Sequence, residues 1–319
     1  MRVLHRLDDL AFPRSWVTVG GFDGVHRGHQ ALIRRTVEGA QREQALAVVV
    51  TFDPLPAVFF RRRPARYLTP LREKLPLLEA LGVDVALILT FDQRLAETPA
   101  RVFLQALRQR LGMATLVAGP YLTLGRNREG TVERIQAWAP VLGFRVEMVE
   151  PVRLNGERIS ASLVRNLLAQ GRVDKAATCL GRWYTLTGPV RPGARRGQRL
   201  GFPTANVLPP RDKWLPAQGV YAGWTTWEGA DQWHPAVANL GHRPTFDGNG
   251  RPLLEVHLLE WAGTLYHKRL TFAFVQHIRG ERRFPSVQAL RAQIARDVQT
   301  AQEVLRHAAQ PASIRPLHP

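Results

Sequence analysis

Between Val17 and Val149, apolar runs of strand length alternate with stretches whose apolar residues recur at helical spacing, and near residue 180 that alternation stops. Val17-Thr18-Val19 and residues 45–52 flank a stretch carrying Leu32, Ile33, Val37 and Ala40, which reads as a βαβ unit. The pattern continues through a helix with Leu71, Leu75, Leu78 and Leu81, a strand at 83–89, a helix at 99–111, a strand at 115–118, a helix at 131–142 and a strand at 145–149. Strands separated by helices predict a parallel sheet covered on both faces. After two short helices, 160–169 and 174–180, the chain turns to short segments punctuated by Gly and Pro: 185–187, 220–227, 236–240, 253–259 and 270–275. These predict a compact antiparallel barrel. A last helix over 286–307, with Leu290, Ile294, Val298 and Leu305 near helical spacing, is expected to pack against it, and 311–319 to fray. The boundary falls near 181–183, giving domains 1–182 and 183–310. Two domains suit a chain of 319 residues, 45% of them hydrophobic.

Several function classes are set aside by composition. No apolar run approaches the ~20 residues that cross a bilayer, and Asp8 and Asp9 interrupt the region where a signal peptide needs apolar residues, so a soluble cytoplasmic protein without membrane contacts is expected. The single cysteine, Cys179, excludes an internal disulfide and a Cys-based zinc cluster and is expected to be buried. Net charge is +18, which suits polyanionic partners. Lysine occurs only at Lys74, Lys175, Lys213 and Lys268, so the excess is almost all arginine, spread along the chain. The densest run, Arg61-Arg62-Arg63, precedes Pro64 and reads as a solvated loop. A basic nucleic-acid-binding protein is the alternative from another class, but no base-reading helix or aromatic RNA platform is visible, and no specific nucleic acid is expected. Homo-oligomerisation is left open by the sequence.

Three segments carry chemistry. Gly20-Gly21-Phe22-Asp23-Gly24-Val25-His26-Arg27-Gly28-His29 lies where the first strand of the βαβ unit hands over to its helix, the place where open parallel sheets bind ligands and free helix N–H groups meet phosphate. Its glycines allow close backbone approach, and His26 and His29 can donate hydrogen bonds to α- and β-phosphates as charge develops in nucleotidyl transfer. Two helix-start histidines with structural hydrogen bonds are the plain alternative, and a zinc site lacks further ligands. Later, Arg158-Ile159-Ser160-Ala161-Ser162-Leu163-Val164-Arg165 opens a helix, with Ser160 placed to cap it and Ser162 and Arg165 suited to gripping phosphates. In the second half, Leu200-Gly201-Phe202-Pro203-Thr204-Ala205-Asn206 follows a basic, glycine-containing loop, 191–199, and no G-x-x-x-x-G-K-[S/T] motif is present. There a threonine hydroxyl can ligate Mg²⁺ and an asparagine can bind metal or phosphate, although the tetrapeptide from Pro203, taken alone, reads far more readily as an ordinary turn entering a strand.

Taken in order, G-G-F-D-G-V-H-R-G-H, T-F-D-P-L-P from Thr51, I-S-A-S-L-V-R and L-G-F-P-T-A-N resemble the bifunctional riboflavin kinase/FMN adenylyltransferase (FAD synthetase) family of bacteria, from about Val17 to Asp297. The similarity continues through Gly219-Val220-Tyr221-Ala222, Val237-Ala238-Asn239-Leu240-Gly241, Arg243-Pro244-Thr245-Phe246, Leu254-Glu255-Val256-His257-Leu258 and Arg279-Gly280-Glu281-Arg282-Arg283-Phe284. It implies a Rossmann-like α/β nucleotidyltransferase domain followed by a compact antiparallel β-barrel riboflavin kinase domain with a C-terminal helix.

It further implies ATP as co-substrate, Mg²⁺, and riboflavin and FMN as partners. His26 and His29, with Gly20, Phe22, Asp23, Gly24, Gly28, Ser160, Ser162 and Arg165, would handle ATP in the first domain. Glu255 would be the kinase's general base, Thr204 and Asn206 its metal ligands, and Gly201, Pro203 and Asn206 its ATP contacts. Arg279, Glu281 and Phe284 would meet the flavin. Period-two alternation independently sets Glu255 and His257 on the strand face opposite Leu254, Val256 and Leu258.

The chain departs from the family pattern at Gly21 (usually Asn), at Leu55 (usually polar), at Tyr121-Leu122 (usually Asp-Phe), at Leu124, and at Ala161 and Leu163. Milder departures are Thr264, His267 and His242. Adenylylation slower than phosphorylation is therefore expected, and a kinase with a degenerate transferase module is the alternative.

Overall fold

The computed structural model describes residues 1–8, 10–62, 64–193, 196–242, 252–261 and 263–311. The Arg243-Pro244-Thr245-Phe246 motif, Asp9, Arg63, residues 194–195 of the basic loop and the tail from 312 lie outside them. The chain divides into two compact units, Met1–Ala161 and Ser162–Pro319. Among the described residues no helix is long and apolar enough to cross a membrane.

The first unit is built on β1 (Arg2–Leu4), β2 (Ser15–Val19), β3 (Leu46–Asp53), β4 (Val85–Thr90), β5 (Met113–Ala118) and β6 (Arg145–Met148), all parallel, in the order β1-β4-β3-β2-β5-β6. The central strands read as unbroken apolar runs because both faces are covered. Alternate residues serve opposite faces: Val48 and Val50 join a core with Leu104 and Leu107, while Ala47 and Val49 join one with Trp16, Ile33 and Val37. Helices α1 (Arg27–Arg42) and α2 (Leu71–Ala80) contribute to the second core; α3 (Ala100–Leu111) and α4 (Val132–Leu142) contribute to the first. Gly112 and Gly143 end α3 and α4 in the left-handed conformation that glycine adopts without a Cβ penalty. β1 escapes sequence reading because it is three residues long and mostly exposed, held only by its register with β4.

Helix α5 (Ala161–Ala169), which begins on the last residue of the first unit, and α6 (Val173–Leu180) precede a closed six-stranded barrel in the second. Its strands are β7 (Tyr184–Arg191), β8 (Ala205–Val207), β9 (Gly219–Trp227), β10 (His234–His242), β11 (Pro252–Leu258) and β12 (Arg269–Arg279). They pair antiparallel in the order β7-β8-β11-β10-β9-β12, and β12 closes on β7. Cys179 is buried on α6.

Helix α7 (Val287–His307), capped by Ser286 accepting from the Ala289 N–H at 3.1 Å, packs on β9, β10 and β12. Its buried face differs from the expected one: Asp297, Ala301 and Leu305 are buried, whereas Leu290, Ile294 and Val298 are half-buried. The face is rotated toward Asp297 because that carboxylate is paired with Arg279 of β12, at 2.7, 3.0 and 3.1 Å.

Candidate active sites

In the first unit, strand order reverses at β2: β3 and β4 run out to one side, and β5 and β6 to the other. The crevice beyond the strand ends at such a reversal is where open α/β sheets take ligands, and the Gly20–His29 loop leaves β2 there. The loop is forced into shape. Phe22 (φ 46°) and Val25 (φ 40°) occupy the left-handed region, which for a β-branched valine is a true outlier. Such strain persists where surrounding contacts over-determine it. Here those contacts are Val25 N–H to Phe22 O (3.2 Å), Gln30 Nε2 to Val25 O (2.9 Å) and Thr69 N–H to Asp23 Oδ1 (3.2 Å).

His26 caps α1, its Nδ1 accepting from the His29 N–H at 3.3 Å. With Nδ1 an acceptor, a neutral His26 carries its proton on Nε2. The two imidazoles stack with centroids 3.6 Å apart, and the Phe22 ring meets His29 edge-on at 5.2 Å. Burial, then the neighbouring His26 and Lys74, hold His29 well below the ordinary imidazole range. Its Nδ1 is shielded from water and has no hydrogen-bond partner, a condition that buried polar atoms seldom tolerate without a functional reason.

A Cβ placed on Gly28 would stand 3.6 Å from the Ile159 carbonyl, so the segment leading to Ser160 approaches this loop. Ser160 directly precedes α5. Ser162, exposed, and Arg165, stacked 5.5 Å above the Trp214 ring, belong to the second unit. Arg158 lies 4.1 Å over the exposed Tyr121 ring.

Sequence reading missed Lys74. It is 3% exposed, its Nζ donating to Gly21 O at 2.8 Å and to Thr51 Oγ1 at 3.4 Å. The signal was present: with Leu71, Leu75 and Leu78 it completes the i, i+3, i+4, i+7 face of α2 that turns to the core, a position where an ammonium needs a reason. A second missed feature is the packing of Phe52, Phe59, Phe60 and Phe91, with edge-to-face centroids between 5.2 and 5.7 Å, beside the ends of β3 and β4.

In the barrel, register sets the site. Glu255 on β11 stands opposite Asn206 of β8 on one side and Asn239 of β10 on the other. Directly paired residues project from the same face. The alternation holds, with Leu254, Val256 and Leu258 buried and Glu255 and His257 half-buried. The Glu255 carboxylate has no hydrogen-bond or ion-pair partner among the described residues.

Thr204, half-buried, immediately precedes β8. Pro203 O lies 2.8 Å from His257 Nδ1, and the Phe202 ring meets His257 edge-on at 5.5 Å. The turn bearing Gly201 is closed by Phe202 N–H to Gly197 O (2.8 Å) and Gly201 N–H to Gln198 O (3.1 Å). Pro203-Thr204-Ala205-Asn206 is therefore both turn and barrel strand. Glu281 accepts from Asn239 Nδ2 at 3.4 Å, and a Cβ on Gly241 would overlap its carboxylate. Phe284 lies under the guanidinium groups of Arg279 (5.7 Å) and Arg282 (4.8 Å).

The two halves of the chain match different known families. A family model described as FAD synthetase matches residues 10–163, and one described as riboflavin kinase matches residues 180–305. A bifunctional riboflavin kinase/FMN adenylyltransferase of Pseudomonas fluorescens is 41% identical over 285 residues, 89% of this chain and 91% of the relative. One of Escherichia coli K12 is 39% identical over 306 residues, 95% and 96% of the two chains. A solved structure described as a macrolide-efflux protein from Streptococcus pneumoniae superposes with a TM-score of 0.85 at 27% identity, covering 96% of this chain and 99% of that one. With both family models matched in series and relatives at 39–41% identity along almost their whole length, the chain belongs to the bifunctional riboflavin kinase/FMN adenylyltransferase family.

Proposed function

We propose that this bifunctional enzyme phosphorylates riboflavin at Thr204, Asn206 and Glu255 in the barrel and adenylylates FMN at the His26–His29 loop, with functional domains 1–182 and 183–310. The observation that carries the reading is the register that sets Glu255 opposite Asn206, two residues beyond Thr204. A carboxylate without a competing partner there takes the proton from the terminal ribityl hydroxyl as its oxygen attacks the γ-phosphorus of ATP, and ADP leaves. Among the described residues no cluster of three acidic, His or Cys side chains can cage a metal. The donor set of one hydroxyl and one amide oxygen suits Mg²⁺, which keeps much of its shell as water and phosphate. Held by Thr204 and Asn206, Mg²⁺ would offset charge on the phosphates. Gly201 and Pro203 shape the turn against ATP, and Arg279, Glu281 and Phe284 are assigned to the flavin side.

In the second reaction a phosphate oxygen of FMN attacks the α-phosphorus of ATP, the bond to the β-phosphate breaks and pyrophosphate leaves. His26, through Nε2–H, and His29, whose Nδ1 lacks a partner, stabilise the charge that develops. Gly20, Phe22, Asp23, Gly24 and Gly28 bring loop backbone and the start of α1 to the phosphates. Ser160 is assigned to the same nucleotide, and Ser162 and Arg165 are assigned to ATP phosphates on the I-S-A-S-L-V-R motif alone. A cytoplasmic location follows from the substrates.

Separate assays with riboflavin or FMN supplied test the assignment. Glu255→Gln is expected to lower riboflavin phosphorylation about 10²-fold and leave FAD formation from added FMN intact, while His29→Ala does the reverse. Unchanged phosphorylation in Glu255→Gln would remove Glu255 from the mechanism.

A further inference from the structure

Among the described residues, Lys74 is a buried cation beside the loop proposed for adenylyl transfer that the chemistry above leaves unused. Its ammonium lies beneath Gly21 and Thr51, so it bonds the turn that follows β2 to the end region of the neighbouring strand β3. At 3% exposure the side chain is enclosed, and its reach ends on protein oxygen. Burying an ammonium is costly unless the fold uses it. The same turn leads within a few residues to the left-handed Phe22 and Val25, and through them to His26 and His29.

We propose that Lys74 is a positioning residue for adenylyl transfer: it anchors the Gly20-Gly21 turn from below and supplies the fixed positive charge against which His29 meets the nucleotide phosphates. The inference rests on the assignment of His29 to that reaction. Burial acts first on His29, followed by two titratable neighbours, His26 and Lys74. His26 stacks on it from the start of α1, Lys74 acts from α2, and Asp23 of the loop turns its carboxylate to the Thr69 N–H. A cation near an imidazole disfavours the protonated ring, so Lys74 helps keep His29 neutral, with one ring nitrogen protonated and one free, at pH values where an exposed histidine would gain charge. Removing the charge while keeping the length of the side chain should therefore loosen the turn and let His29 protonate at higher pH.

The test uses the full-length chain as wild type, Lys74→Met, Lys74→Arg and His29→Ala. FAD formation from FMN and ATP is followed from pH 5 to 9, and FMN formation from riboflavin is followed in parallel. Lys74→Met is expected to slow FAD formation about 10- to 100-fold, to move the acid limb of its pH profile upward, and to leave FMN formation unchanged. Lys74→Arg, which keeps the charge, is expected to restore the wild-type acid limb even where its rate is reduced. A Lys74→Met enzyme with the wild-type profile and rate overturns the proposal, and so does an acid limb that moves equally in Lys74→Arg. Should Lys74→Met fail to fold, Lys74→Gln, which removes the charge and keeps a hydrogen-bond donor, is compared with wild type by NMR titration of His29: a titration point unmoved from wild type overturns the proposal, and one raised above it upholds it. His29→Ala separates the two claims. If it leaves FAD formation intact, the assignment of the site fails; if it abolishes FAD formation while Lys74→Met changes nothing, only the role of Lys74 fails.

Discussion

Gly21 and Leu55 both depart from the family pattern, and the two departures meet in space. A Cβ on Gly21 would stand 3.2 Å from Leu55 Cδ2, and Leu55 is 4% exposed, so the leucine fills room that a side chain at 21 would need. The pair is one packing exchange, which argues for an adapted transferase loop over an eroded one. Gly21→Asn alone should overpack the loop and cost about 1–3 kcal/mol, whereas Gly21→Asn with Leu55→Ala should recover part of that cost. A double-mutant cycle by denaturant unfolding checks this, and additive effects would refute the exchange. In the barrel, Thr204→Ala deletes a proposed metal ligand, so the Mg²⁺ and ATP concentrations needed for half-maximal phosphorylation should rise with little change for riboflavin. At this scale motifs were the legible part. His26, His29, Thr204 and Glu255 are candidates that the motifs and the family resemblance propose, while Gly21 with Leu55 and Lys74 with Thr51 are contacts between segments far apart in sequence, which no local pattern encodes.

At the scale of elements, long buried strands and amphipathic helices were readable because burial on one or both faces writes a period into the sequence. β8 was not, since three residues are too few to show one, and its pairing with β7 and β11 decides its state. The rotation of α7 was hidden for a related reason: Asp297 looks like a solvent-facing residue until Arg279 is seen beside it. Their pair is largely enclosed, with side chains 20% and 4% exposed, and Gln293 adds a further bond to Asp297 at 2.7 Å. Truncating one partner of a buried pair strands the other charge and typically costs about 3–5 kcal/mol. Asp297→Ala should accordingly lower the unfolding temperature of the barrel unit, and by freeing Arg279 raise KM for riboflavin. A thermal melt indistinguishable from wild type would show that α7 is not tied down through this pair.

For the whole molecule, the change of rhythm near residue 180 marked two activities, but contacts divide the chain at Ala161 and Ser162. Helix α6 packs on β12 and β7, with Val173, Ala176, Ala177, Cys179 and Leu180 buried. A fragment spanning 162–319 should thus melt at a higher temperature than one spanning 183–319, and both should phosphorylate riboflavin. An inactive, soluble 183–319 fragment would move the functional boundary upstream. The two reactions are consecutive, and the motifs of the first half of the chain carry most of the departures, at Gly21, Leu55, Tyr121, Leu122, Ala161 and Leu163. The wild-type chain, incubated with riboflavin, ATP and Mg²⁺ and sampled over time by flavin chromatography, puts the account to its most direct test. FMN should appear first and accumulate, and FAD should follow at its expense. FMN that never converts at saturating ATP, or FAD that forms without an FMN lag, would contradict it.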